Sequence, residues 1–174
     1  MDIVVGIITG ILASLAASFV WLFIFGKIRP NIAISPCVAK SVNSDGVATY
    51  KIKIINKSQR PIVNIKVRLV LVTPTLVPSG QVLSTKNISL KIDEILGMPK
   101  YNKKDVEAKY AFRFITFEDL DSIWNDDKKQ FLMFKLYAQD SLSSLGRYFE
   151  KKYYIKRSCL KEGEFSFGNS FEII

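Results

Sequence analysis

The chain has 174 residues, enough for one ordinary domain plus an appendage, and carries 25 Lys and Arg against 16 Asp and Glu, a net charge of +9. It contains no histidine, which removes the commonest general base and the commonest metal ligand together. The two cysteines, Cys37 and Cys159, lack CxxC spacing; they read as two free thiols or one disulfide, and neither a metal nor any other cofactor is expected.

The N-terminus is a separate region. Ile3 to Phe25 is 23 residues without a charge, and a helix of that length reaches roughly 35 Å, enough to cross a hydrocarbon core. A signal peptide would open with positive charge and end at a cleavage site. Here the opening is Met-Asp, and the small residues Ala16, Ala17 and Ser18 are followed by more apolar sequence, "FVWLFIF". The segment therefore reads as an uncleaved anchor, ended by Gly26 and Pro30. Lys27, Arg29 and Lys40 follow it, whereas only Asp2 precedes it. Positive-inside bias then predicts an inner-membrane, single-pass protein with its N-terminus outside and its C-terminal domain in the cytoplasm. The Asn56-Lys57-Ser58 and Asn87-Ile88-Ser89 sequons are chance matches in that orientation. The expected division is residues 1–29 as the membrane helix with its basic flank and residues 30–174 as the cytoplasmic domain.

Within the anchor a small residue recurs every fourth position: Gly6, Gly10, Ser14 and Ser18. In lipid, helices associate where small side chains let backbones approach closely. The stripe predicts self-association, with a monomeric anchor, a dimer and a higher oligomer all compatible with it. In a higher oligomer Thr9, Ser14 and Ser18 would turn hydroxyls toward a narrow, uncharged pore.

After Pro30 the hydropathy alternates with a period of two. In "VATYKIKIIN", Tyr50, Ile52 and Ile54 alternate with Lys51 and Lys53; in "PIVNIKVRLVLV", Val63, Ile65, Val67, Leu69 and Leu71 alternate with Asn64, Lys66 and Arg68. Each reads as a half-buried strand, and the short link "NKSQRP" predicts an antiparallel hairpin between them. Further strands are expected in "NIAISPCVA", "QVLSTKNISLKI", "AKYAFRFI", "QFLMFKLYA", "GRYFEKKYYIK" and "EFSFG". "TFEDLDSIWNDD" predicts one short helix capped by Thr116, with Leu120, Ile123 and Trp124 on its apolar side. About eight strands and one helix make a mainly-β domain, an antiparallel immunoglobulin-like β-sandwich or a small barrel.

Residues 27–174 carry 25 basic and 15 acidic side chains, a surface that attracts anions. In a hairpin, Lys51 and Lys53 would share an outward face with Lys66 and Arg68, a grouping suited to phosphate. Arg147, Lys151 and Lys152 are interleaved with Tyr148, Phe149, Tyr153 and Tyr154, supplying charge for phosphates and rings for bases. Two blander readings stand beside this one: a solvated face that protects strand edges, and a face turned to acidic lipid. The carboxylates at 118–121 and 126–127 fit capping and turns. With no nucleophile elbow, phosphate loop or metal spacing, the chain is not expected to be an enzyme.

"YKIKIINKSQRPIVNIKVRLVL" resembles a bacterial immunoglobulin-like module tethered behind a membrane helix. In architecture the whole chain resembles the membrane effectors of bacterial antiphage nucleotide-signalling systems (CBASS and Hailong-type), in which a small β-rich domain hangs from one or more membrane helices. That resemblance implies an oligomeric effector, conducting ions or disrupting the membrane, gated by a nucleotide or single-stranded nucleic acid on the cytoplasmic domain. It carries no binding residues across. The alternative is a constitutive anchored adaptor whose β-domain binds a protein partner.

Overall fold

The computed structural model describes residues 2–43 and 46–174. An N-terminal helix, α1 (Asp2–Ile28), is followed by a two-sheet β domain. The stretch Ile3–Phe25 has a mean hydropathy of 2.4, and none of it is buried against the rest of the chain. It is long and apolar enough to cross a bilayer. The helix runs through Gly26 and stops at Ile28, two residues before Pro30. Proline, not glycine, therefore ends it, by excluding helical backbone from the residue before it.

Ten strands follow: β1 (Ile32–Ile34), β2 (Val38–Val42), β3 (Ala48–Asn56), β4 (Ile62–Val77), β5 (Gly80–Ile88), β6 (Glu94–Met98), β7 (Ala111–Thr116), β8 (Phe131–Asp140), β9 (Gly146–Tyr153) and β10 (Leu160–Glu162). In the first sheet β3 is central, with β7 along one edge and β1 and β2 along the other; β10 joins β2 in parallel. In the second, β4 lies between β8 and the pair β5 and β6, and β9 pairs with β8. The core lies between the sheets. Tyr50, Ile52, Ile54 and Phe114 meet Ile65, Val67, Leu69, Leu132, Phe134 and Leu136 there, with the Phe114 and Phe134 rings 5.8 Å apart. The domain is thus a sandwich.

The expected hairpin between β3 and β4 does not form. The two strands belong to different sheets, and residues 57–61 cross the gap between them. Asn56 holds this crossover: its amide donates to the carbonyls of Arg60 (3.2 Å) and Pro99 (2.8 Å), and its side-chain oxygen accepts from the Ser58 N–H. Ser58 Oγ in turn accepts from the Asn31 N–H at 2.8 Å. These bonds satisfy the buried polar groups of Asn56 and Ser58 and fix the course of the crossover.

Other strand expectations shift for local reasons. "NIAISPCVA" breaks into β1 and β2 at Ser35-Pro36-Cys37, where Ser35 Oγ accepts from Lys53 N and donates to the Cys37 carbonyl. A bulge at Asn64, in left-handed backbone (φ 50°), shifts the β4 register, so Ile62 rather than Val63 is buried with Ile65. "EFSFG" contributes only an isolated bridge between Phe165 and Ile173. β6 and β10 were not anticipated. The β10–β2 pairing sets Leu160 against Val38, so Cys159 and Cys37, distant in sequence, precede paired positions; both are free thiols.

The short helix is α2 (Leu120–Ile123), capped by Asp119 rather than Thr116; Thr116 is the last residue of β7. Leu120 and Trp124 are buried in the main core, and Trp124 Nε1 donates to the Gln130 carbonyl at 3.0 Å. Beyond Val72, which pairs with Phe131, β4 and β5 continue as a two-stranded arm without β8. Residues 72–85 of this arm contain no charged side chain, and Leu76 is 82% exposed.

Trp124 closes the end of the sandwich, so Trp124→Ala is expected to cost about 3–5 kcal/mol, measured by denaturant unfolding of the full chain.

Candidate functional site: the outer faces of the two sheets

The bulge at Asn64 fixes which β4 side chains point away from the core. Lys66 and Arg68 then stand outward beside their β8 partners, Tyr137 and Lys135. β9 adds Tyr148 opposite Tyr137, Glu150 opposite Lys135 and Lys152 opposite Met133. The rows across the sheet are therefore Lys66–Tyr137–Tyr148 and Arg68–Lys135–Glu150. A concavity of about 480 Å³ opens over them, lined also by Asp93 and Glu94.

The charges there are not all free. Lys66 Nζ lies 3.6 Å from Glu94, and Lys152 Nζ lies 3.2 Å from Glu150, which also accepts from the Tyr148 hydroxyl at 3.1 Å. Burial opposes ionisation of Glu150, but these bonds and the nearby lysines outweigh it and hold its carboxyl below the ordinary range. Burial, followed by the contact with Glu150, raises the Tyr148 phenol. Arg68 and Lys135, directly opposed across β4 and β8, are in no ion pair among the described residues. Like charges placed opposite each other cost stability. Glu150, opposite Lys135 on β9, offsets part of that cost; the Tyr148 hydroxyl reaches toward this row, whereas the Tyr137 ring lies over Gly146 with its hydroxyl accepting from Gln139 at 3.0 Å.

The residues expected to bind anions are distributed over several surfaces. Lys66, Arg68 and Lys152 share the outer face just described, joined by Lys135, Tyr137 and Tyr148. Lys51 and Lys53 belong to the other sheet, on its own outer face, so the four-residue patch expected from a hairpin is split in two. Lys51 pairs with Glu164 and donates to Ser41 Oγ at 3.1 Å. Lys53 is 1% exposed. Arg147 and Lys151 have the parity of the core-facing β9 residues. Arg147 stacks over Phe149 (5.0 Å) and reaches the Pro30 carbonyl (3.4 Å), at the point where α1 enters the sandwich. Tyr154 lies past β9, its ring 5.3 Å from Phe131.

Lys135 and Tyr137 were missed because "QFLMFKLYA" reads as a core strand with one stray lysine. Only the pairing of β8 with β4 gives them neighbours. Lys40 and Lys156, by contrast, are structural. They bind Asp121 at 2.7 and 3.2 Å, and the Tyr50 hydroxyl donates to Asp121 and Asp119.

In α1, Gly6 and Gly10 face open space: a Cβ at either position would touch nothing in the chain. The Thr9 hydroxyl donates to the Val5 carbonyl (2.6 Å) and Ser18 donates to that of Ser14 (2.9 Å). The helix thus satisfies those two hydroxyls itself, as a helix that crossed lipid would have to.

Burial, then the charges of Arg113 and Lys57, push the Lys53 ammonium down to about 8. Its folded value lies below the unfolded one, so its charge opposes folding fully below about pH 8, and that opposition is relieved as pH rises toward the unfolded value of about 10.4. Stability is expected to rise from pH 8 to about 9.5 in the native chain and to lose that rise in Lys53→Met, measured by thermal unfolding. No protein-family model matches the chain, and no curated protein matches it.

Proposed function

We propose that the protein is a single-pass membrane receptor whose β-sandwich lies on the cytoplasmic side and binds an anionic, ring-bearing ligand across Arg68 and Lys135. A nucleotide or a short single-stranded nucleic acid fits that description. The observation that carries this reading is the directly opposed Arg68 and Lys135, in no close ion pair among the described residues, on the wall of a concavity that Tyr137 and Tyr148 also line. Phosphate would relieve the like-charge contact, and the phenol rings offer stacking surfaces.

The connection to the helix supports a signalling role. Only three residues separate the end of α1 at Ile28 from the start of β1 at Ile32. The loop joining β8 and β9 touches the junction, since Ser143 Oγ donates to the Ile28 carbonyl at 3.3 Å. The strands that carry Lys135, Tyr137 and Tyr148 are thus the strands whose loop touches the helix end. A ligand that favours one arrangement of these strands would bias helix packing, provided it binds the two states with different affinity. The open faces of Gly6 and Gly10 support self-association of the helices. On this reading the assembly acts on the membrane when the ligand binds, as an effector in antiphage defence would.

A second reading, a constitutive adaptor, is favoured by the uncharged β4–β5 arm, whose strand edge suits β-augmentation by a protein partner.

Two measurements on the full chain test the first reading. In lipid nanodiscs, adenosine triphosphate or short oligothymidylate should bind with an affinity that falls as salt rises. Arg68→Ala with Lys135→Ala should weaken binding at least about tenfold, a loss of roughly 1.4 kcal/mol. In cells, wild-type expression under activating conditions should depolarise the membrane, and Gly10→Leu with Ser14→Leu should abolish this. Salt-independent binding, or binding untouched by the double substitution, would overturn the ligand assignment. If instead function is lost on Leu76→Lys with Leu83→Lys and survives the Arg68/Lys135 change, the adaptor reading stands.

A further inference from the structure

The other outer face holds a second like-charge pair, and this one is roofed. Lys53 on β3 and Arg113 on β7 are directly opposed. Residues 164–174 fold back on themselves through reciprocal backbone bonds between Glu164 and Ile174, and lie over the pair. The turn into this strap is at Gly163 (φ 120°), where a Cβ would come within 2.5 Å of the Ile174 carbonyl oxygen, so only glycine fits.

The strap meets the two cations with backbone oxygens alone. Lys53 Nζ donates to the carbonyls of Ser166 (2.8 Å) and Ser170 (2.7 Å). Arg113 Nη2 donates to those of Phe165 (2.9 Å) and Ser166 (3.4 Å). Among the described residues neither side chain is in an ion pair. Glu164, whose charge reaches Arg113, is engaged by Lys51, and Glu107 is paired with Lys109 at 2.5 Å. Among the described residues two buried side-chain polar atoms are left without a hydrogen-bond partner, and both belong to this cluster: Arg113 Nε and Ser166 Oγ. Such atoms are rare in folded proteins unless something absent from the chain itself completes them. Beside them is a cavity of about 290 Å³, lined among others by Lys51, Lys53, Arg113, Phe167, Gly168 and one carboxylate, Glu107, which Lys109 neutralises; Ser166 adjoins this wall.

We propose that this cavity is a binding site for a phosphate-sized oxyanion, held by Lys53, Arg113 and the Ser166 hydroxyl under the C-terminal strap. Carbonyls satisfy N–H groups but carry no compensating charge. An oxyanion supplies that charge and accepts from the guanidinium in its fork geometry. Because the strap contributes Phe167 and Gly168 to the cavity wall, with Ser166 next to them, binding would also fix the strap on the sheet. The site is on the opposite outer face from Arg68 and Lys135 and does not depend on the assignment made there.

The test titrates the full chain in nanodiscs at pH 7 with inorganic phosphate, and with sodium chloride at matched ionic strength. Thermal unfolding and amide exchange of residues 165–170 are the readouts. Phosphate should raise the unfolding temperature saturably by several degrees and slow exchange of the strap, while chloride does neither. Ser166→Ala breaks no side-chain hydrogen bond among the described residues, so it should fold normally and weaken the phosphate effect several-fold. Arg113→Lys should weaken it further, and Arg68→Ala with Lys135→Ala should leave it intact. An equal response to chloride, an undiminished response in Ser166→Ala and Arg113→Lys, or a response abolished by the Arg68/Lys135 change would overturn the proposal.

Discussion

The crossover at residues 57–61 decides which cation stands beside which. A tight turn there would have placed β3 and β4 side by side and gathered Lys51, Lys53, Lys66 and Arg68 on one surface. The buried Asn56 side chain instead bonds the Arg60 carbonyl and Ser58 N–H of the link and the Pro99 carbonyl beyond it, and the chain passes to the second sheet. Each strand then becomes the centre of its own sheet, and the basic residues of β3 and β4 end up on opposite outer faces. The same crossover brings Ser58 to Asn31, so the link that separates the sheets also ties the sandwich to the chain emerging from the helix.

Each outer face then presents the same electrostatic problem with a different answer. Arg68 faces Lys135, and Lys53 faces Arg113, each pair at directly opposed positions where repulsion is strongest. On the first face the pair opens onto a shallow concavity, and Glu150 stands opposite Lys135. On the second the strap removes the water and leaves Lys53 almost fully buried, so the cost of holding the charge rises and the ammonium titrates near pH 8. Natural sandwiches commonly stud an outer face with lysine to stop edge pairing, which requires neither opposed pairing nor burial. Both features here go beyond that requirement.

The helix and the principal strands were legible because their signals are local. An uncharged run of 23 residues and the alternation through Tyr50–Ile54 and Ile65–Leu71 need no knowledge of the rest of the chain. The pairing of β3 with β7, and not with β4, was not legible, since a six-residue polar link supports either a hairpin or a crossover. Lys53 was correctly assigned to the face away from the core. Its burial depends on residues 165–170, more than a hundred positions later, and no local pattern announces it. Lys135 and Tyr137 were hidden for the converse reason: their strand looks apolar throughout, and their importance comes from register with Arg68 and Lys66. The one-residue offset at Asn64 similarly moved Ile62 into the core in place of Val63. The cap of α2 moved from Thr116 to Asp119 because Thr116 is still needed to pair with Tyr50 in the sheet.

The three-residue passage from Ile28 to Ile32 has a geometric consequence for any assembly. Helices that meet through glycine faces approach to roughly 8 Å, the lower end of ordinary packing. Two sheets stacked about 10 Å apart, with side chains on both outer surfaces, are wider than that. Without a linker to spread them, neighbouring sandwiches cannot sit centrally above their own helices when those helices touch. They must hang to one side, and their girth limits how many copies can surround a common axis. Lengthening the segment between Ile28 and Ile32 would remove that crowding. In any such assembly the shortness of the passage would make the β domain a spacer that limits how the helices can pack.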